Sequence, residues 1–143
     1  MAATVRGAVR ELLEQTIATM QALLEASDRE LAMPSSHACA QGKDLWTLIT
    51  NDIDHEKIHS GQVLEARYES RLTASPMQRL IAEWLAERAR FVGTLIGMTD
   101  EQFNSETAPG QWTYRVVAKH VLVLEQDSLK TFAADQAARR SGD

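Results

Sequence analysis

The segment His55-Glu56-Lys57-Ile58-His59-Ser60-Gly61-Gln62-Val63 decides how the rest of the chain is interpreted. It lies within residues 43–70, a stretch that has no proline and is rich in helix-favouring residues. On a helix, residues four apart lie on one face, one turn above the other, so the imidazoles of His55 and His59 can reach one ion. Neutral imidazole is the commonest side-chain ligand for divalent transition metals. The sequence therefore predicts a helix with two metal ligands; the alternative is an ordinary solvated helix face.

Length, composition and charge favour a single domain over residues 1–143. The chain has 143 residues, of which 44% are hydrophobic and 24% charged, and its net charge is −5. Lysine and arginine are scattered and form no basic stripe, so we expect no nucleic-acid binding. The apolar runs are too short to cross a membrane, and the N-terminus lacks the apolar region of a signal peptide. Because the only cysteine is Cys39, no internal disulfide can form, and we expect a cytoplasmic protein.

Apolar residues recur at intervals of three and four in four segments, which is typical of helices with one buried face. Asp44 is placed to cap the second helix, and Ser75-Pro76 has the serine and proline of a helix start. No alternation of period two indicates a strand. We therefore predict an all-α four-helix bundle. The predicted helices cover residues 4–26, 43–70, 76–97 and 112–134, the loops cover 27–42 and 98–111, and residues 137–143 form a frayed tail.

The order of these segments indicates an internal duplication of a helical hairpin. Residues 23–31 and 95–103 have similar sequences, and each is followed by a Trp-Thr pair and an amphipathic helix. Counted from Trp46 and Trp112, Asp54 corresponds to His120 and His59 to Glu125. The second and fourth helices are therefore expected to be equivalent, and equivalent helices in a bundle often supply a shared site.

Polar side chains interrupt the apolar face predicted for the second helix. Asp52, Glu56 and His59 fall near its centre, and an unpaired buried polar group costs about 1–3 kcal/mol. A metal, water or a polar network must then satisfy them. Asp52, Glu56 and Asp127 are expected either to orient imidazoles or to be surface charges. The other candidates have a simpler interpretation: Trp46, Trp84 and Trp112 are expected as core anchors and Cys39 and His37 as incidental loop residues, with His37 as the less favoured fourth ligand.

Two motifs carry a resemblance to a known family. The pattern His55-x3-His59-x-Gly61-Gln62-Val63 resembles the metal-binding helix of the DinB-like superfamily, which includes thiol-dependent S-transferases of the YfiT type. The spacing from Trp112 to His120 resembles that family's second signature. The resemblance implies a four-helix bundle in which His55, His59 and His120 bind a divalent ion, nickel or zinc. The two motif helices stand in the opposite order to the family's, which puts the expected substrate pocket in doubt.

Two classes of function follow from this resemblance. In the first, the chain is an enzyme that uses the ion to hold a low-molecular-weight thiol, bacillithiol or mycothiol, for transfer to a small-molecule substrate. In the second, it is a non-enzymatic, stress-associated helical bundle in which the ion is structural or absent. An open coordination position on the ion favours the enzyme. The resemblance and the number of apolar residues in the first and third helices also predict a homodimer.

Overall fold

Helices account for most of residues 4–141, the part of the chain that the computed structural model describes. A 3-10 turn, Ala38–Ala40, precedes the third helix. Residues 4–141 form no strand, and their isolated bridges pair Pro34 with Asp44 and Glu106 with Thr113. The predicted all-α class is therefore confirmed. In chain order the helices are α1 (Val5–Glu25), α2 (Asp28–Leu31), α3 (Leu45–Glu69), α4 (Pro76–Leu95), α5 (Asp100–Phe103) and α6 (Tyr114–Ser141).

The chain divides into two compact units, the first ending at Thr73 and the second beginning at Ala74. The first unit contains α1, α2 and α3, and the second contains α4, α5 and α6. Each unit therefore consists of a long helix, a one-turn helix and a second long helix.

Side chains cap the helices of the first unit at their N-termini. The Thr4 hydroxyl accepts a hydrogen bond from the Gly7 N–H at 3.1 Å at the start of α1. Before α3, the Asp44 carboxylate accepts from the Thr47 N–H at 2.9 Å and from the Thr47 hydroxyl at 2.7 Å. These bonds satisfy N–H groups that have no partner within the helix, which is why the helices begin at these residues.

Side chains also cap the N-termini of the long helices in the second unit. Ser75 and Gln78 form a capping box around Pro76, the first residue of α4. The Thr113 hydroxyl accepts from the Val116 N–H at 3.2 Å at the start of α6. The predicted starts at Asp44 and Ser75-Pro76 are confirmed, whereas α6 begins at Tyr114 rather than at Trp112.

The segment between the two long helices is built in the same way in both units: a one-turn helix comes first and an isolated bridge follows. In each, a capping box opens the one-turn helix, with Ser27 and Glu30 at α2 and Thr99 and Gln102 at α5. An isolated antiparallel bridge then brings the loop back to the N-cap of the second long helix. These short helices lie in segments that the sequence analysis assigned to loops.

The residues of the two units can be matched by counting from the N-caps of α3 and α6, and this match differs from the one obtained by counting from the tryptophans. Trp46 lies two residues after its N-cap Asp44, inside α3, while Trp112 lies one residue before Thr113. The two tryptophans therefore differ by three positions. Counted from the N-caps, His120 is seven residues beyond Thr113 and corresponds to Asn51, which is seven beyond Asp44, rather than to Asp54.

The packed region of each unit lies where the loop meets the start of the second long helix. The 3-10 turn and α2 pack against α3, and α5 packs against α6. Within residues 4–140, Ala40 is the one fully buried side chain. Most apolar side chains along α1 and α4 are exposed; Leu12 is 67% exposed and Leu80 60%. A four-helix bundle is therefore not established by the packing within either unit.

The last helix is longer than predicted. It runs to Ser141, although residues 137–143 were expected to fray; residues 142 and 143 lie outside the described residues. Alanine and arginine, which make up residues 137–140, both have high helix propensity. Arg139 and Arg140 in the last turn also stabilise the helix, because their positive charges interact favourably with the negative end of the helix dipole.

Candidate functional site

His55 and His59 lie side by side on α3. Their ring centroids are 4.5 Å apart and the ring planes are tilted by 40°. Both side chains are exposed. The structure thus places the two imidazoles as their four-residue spacing predicts, one turn apart on one helix face.

Gln62 determines which nitrogen of His59 is available. Its side-chain oxygen, Oε1, lies 2.8 Å from Nδ1 of His59. A carbonyl oxygen only accepts hydrogen bonds, so Nδ1 carries the proton and donates it. The neutral ring then has its lone pair on Nε2, the nitrogen that could bind a metal. The sequence analysis names Gln62 only as part of the motif and missed this contact, although the three-residue helical spacing from His59 could have indicated it.

His120 lies on α6 in the second unit and contacts Trp112. The ring centroids are 5.1 Å apart and the planes are nearly perpendicular, at 66°. Within residues 4–141, neither ring nitrogen of His120 makes a hydrogen bond. His55 and His59 belong to the first unit, so the predicted convergence of all three histidines stays a prediction.

Neither unit on its own assembles a complete metal site from the described residues. No group of three or more histidine, cysteine, aspartate or glutamate side chains in residues 4–141 is arranged to hold an ion. His55 and His59 are therefore two candidate ligands of a site that needs further ligands.

The acidic residues near the histidines are surface charges in this structure. Asp127 pairs with Lys130 at 3.3 Å, three residues along α6, and its side chain is 65% exposed. Asp52 and Glu56 are also exposed. Because these side chains are exposed, they pay no cost for burial without a partner. The free-energy cost of burying polar groups therefore gives no reason to expect a metal at these side chains.

His37 and Cys39 have a local structural part in the loop before α3. Nδ1 of His37 accepts a hydrogen bond from the Cys39 N–H at 3.2 Å and caps the 3-10 turn. The Asn51 side chain donates to the Cys39 carbonyl at 2.6 Å and ties the turn to α3. These contacts give both residues a part in the structure of the loop, which the sequence analysis had treated as incidental.

The three tryptophans do not act as the predicted core anchors. Trp46, Trp84 and Trp112 are 60%, 55% and 56% exposed. Of the three, Trp112 contacts a candidate ligand, and Trp84 lines a shallow cleft.

Two open clefts lie in the second unit. One, of about 370 Å³, is at the end of α4 and lined by Ile96, Gly97, Met98, Gln102, Ser105, Glu106 and Tyr114. The other, of about 270 Å³, has an apolar floor of Ile81, Trp84 and Leu85 beside the ion pair of Arg88 and Glu125. Neither cleft is lined by a candidate histidine ligand.

Within residues 4–141, no helix combines the length and the apolar content of a membrane span.

Comparisons with known proteins add no assignment. No family model, no curated protein and no solved structure matches this chain.

Proposed function

We propose that this chain is a DinB-like protein that binds a divalent transition-metal ion, nickel or zinc, through His55, His59 and His120. The observation that supports it best is the pair on α3, whose rings lie 4.5 Å apart. Two nitrogens that bind one zinc ion, each at about 2.0–2.1 Å, lie within about 4 Å of one another. Because the two rings lie one helical turn apart on one face, rotation of the side chains can bring a nitrogen of each into this range. His120 enters the proposal through the resemblance of its motif.

The contact between Gln62 and His59 also supports metal binding. Histidine ligands commonly donate their second ring N–H to an oxygen, which fixes the ring and makes the other nitrogen more basic. Gln62 accepts such a bond from Nδ1 of His59. On an ordinary solvated helix face water can accept this hydrogen bond, so the imidazole needs no side-chain acceptor.

The activity that fits three neutral histidine ligands is thiol transfer. A divalent ion held this way keeps coordination positions open and lowers the pKa of a bound thiol. The protein's own residues would hold and orient that ion. We propose a low-molecular-weight thiol, such as bacillithiol or mycothiol, and a small electrophilic substrate, in the cytoplasm.

A non-enzymatic, stress-associated metal-binding bundle is the second candidate. Enzyme sites usually lie in concave pockets that enclose the substrate. His55, His59 and His120 are exposed, and the two clefts of the second unit are lined by other residues. This placement favours a binding module.

The finer fold proposed here is a four-helix bundle. The support comes from α1 and α4, whose apolar stripes are exposed and need a packing partner. A bundle would bury such stripes against other helices.

Metal titration of tag-free protein tests the proposal. We expect wild-type protein to bind one zinc or nickel ion per chain. His55→Ala, His59→Ala and His120→Ala should each weaken binding strongly while circular dichroism stays helical. His37→Ala is the matched control, because His37 is bonded within its own loop.

The outcomes separate the parts of the proposal. A wild-type chain that binds neither metal would overturn it. Unchanged affinity in His120→Ala would remove His120 from the ligand set. A loaded protein that consumes no thiol with any of a panel of small electrophiles would support the binding module over the transferase.

A further inference from the structure

Trp112 is the aromatic residue that contacts a candidate ligand, and it does so across the start of α6. Its indole meets the His120 imidazole at a centroid distance of 5.1 Å and an interplanar angle of 66°. Perpendicular pairs of this kind are a preferred arrangement of aromatic rings. The contact joins a loop residue to a residue in the second turn of the helix.

The main chain of Trp112 is fixed by its neighbours. Its carbonyl accepts two hydrogen bonds from Thr107, from the N–H at 3.0 Å and from the hydroxyl at 2.9 Å. The next residue, Thr113, caps α6 through its hydroxyl. The indole is therefore attached to a backbone position that is held on both sides.

Helix geometry brings His120 to this indole. Side chains on a helix lean toward its N-terminus, so the imidazole of His120 lies over the preceding turn, on the side of Trp112. Within residues 4–141 this ring has no hydrogen bond to orient it. The indole of Trp112 is the aromatic ring that contacts it.

The corresponding place in the first unit lacks this pair. Counted from the N-caps, Lys43 stands where Trp112 stands, and Asn51 where His120 stands. The Asn51 side chain is instead bonded to the Cys39 carbonyl. The shared hairpin architecture therefore does not require an aromatic residue before the N-cap.

We infer that Trp112 is a positioning residue that holds the His120 imidazole in one orientation, with its ring nitrogens free for a ligand. Its importance for a metal site rests on the proposed function, whereas the orientation itself does not. In a metal site, an already oriented ring loses less rotational freedom when it binds the ion.

Nuclear magnetic resonance of the metal-free protein tests the orientation. The indole ring current should displace the His120 ring-proton signals from their usual positions. Trp112→Leu should abolish this displacement, and Trp112→Phe should retain part of it. Trp46→Leu is the control, since Trp46 makes no ring contact in the described residues and lies on α3.

A second variant tests the same contact in case Trp112→Leu does not fold. Thr107→Val keeps both aromatic side chains but removes the hydroxyl bond that holds the Trp112 carbonyl. Trp112 should then be held less firmly, so we expect a reduced displacement, which Thr107→Ser should preserve. Zinc titration provides the functional readout. Trp112→Leu should weaken binding by roughly two- to tenfold, the range expected for loss of one aromatic pair.

His120 signals that are unchanged in a folded Trp112→Leu protein would overturn the inference. If Trp112→Leu abolishes the displacement but binds zinc as tightly as the wild-type protein, the positioning role in metal binding would be overturned. A wild-type protein without zinc affinity would defeat the proposed function, while the metal-free spectra would still decide whether Trp112 orients His120.

Discussion

At the scale of single residues, the hydrogen bond from His59 Nδ1 to Gln62 has a measurable consequence. Gln62→Ala removes the acceptor, so His59 loses both its fixed orientation and its preferred tautomer. We expect zinc affinity to fall by about tenfold, the lower end of the effect seen when partners of metal ligands are removed. Isothermal titration at pH 7.5 measures it.

Gln62→Glu and Lys57→Ala make this prediction specific. Glutamate offers an oxygen at the same place, so Gln62→Glu should bind zinc at least as tightly as wild type. Lys57 pairs with Asp54 on the surface of α3, and its removal should leave affinity unchanged. Equal affinities in all of these variants would exclude a contribution of Gln62 to metal binding.

The residue contacts differ in how far the sequence determines them. The His55–His59 pair could be predicted because both residues are on one helix, where spacing alone sets the geometry. The contact of Trp112 with His120 could not, because it crosses from a loop into α6. The path of a loop depends on bonds such as those from Thr107 to Trp112, which no sequence period encodes.

At the scale of helices, the capping box of α4 should contribute measurably to stability. Ser75 accepts from the Gln78 N–H at 3.2 Å, and Ser75→Ala leaves that N–H without its partner. We expect a loss of about 1 kcal/mol in the free energy of unfolding, measured by urea denaturation. Ser60→Ala, at an exposed position in the middle of α3, is the control and should cause no loss.

The N-cap of α3 should also make stability depend on pH. Hydrogen bonds from the Thr47 hydroxyl and the Thr47 N–H hold the pKa of Asp44 below its ordinary value of 3.8. A carboxylate with a lowered pKa in the folded state stabilises the fold above its ordinary pKa and loses that effect as pH falls through the lowered value. Wild-type protein should therefore lose helicity below about pH 4 faster than Asp44→Asn, whose amide also caps but does not titrate.

Circular dichroism between pH 6 and pH 2 compares the two proteins. Parallel curves would show that the cap of Asp44 does not carry the pH dependence. Glu30, whose pKa is lowered by hydrogen bonds from the backbone and hydroxyl of Ser27, is unchanged in both proteins and cancels in the comparison.

The helices show where sequence periodicity succeeds and fails. The long helices α1, α3 and α4 begin and end within two residues of their predicted limits, because each has several turns of apolar pattern. A four-residue helix has no such pattern, so α2 and α5 were assigned to loops. Their signal was the capping box, a Ser or Thr followed three residues later by Glu or Gln.

At the scale of the whole molecule, apolar periodicity indicates that a face needs a partner but does not identify it. The stripe on α1 was correctly read as helical, yet its residues Leu12, Ile17 and Leu24 are each at least 60% exposed. Another helix of the same chain or of a second chain would satisfy such a stripe equally well. The bundle and the homodimer are therefore separate predictions.

The homodimer can be tested through that stripe. The chain has a mass of 15.9 kDa, and we expect sedimentation at micromolar concentration to give a species of twice that mass. Leu12→Glu introduces a charge into the apolar stripe and should shift the protein toward monomer, because a charge buried without a partner opposes association. Glu11→Gln, a polar exposed neighbour, should leave the dimer intact. If the wild-type protein sediments only as a 15.9 kDa species, the homodimer is excluded, and a second copy of the chain is not the partner of the stripe on α1.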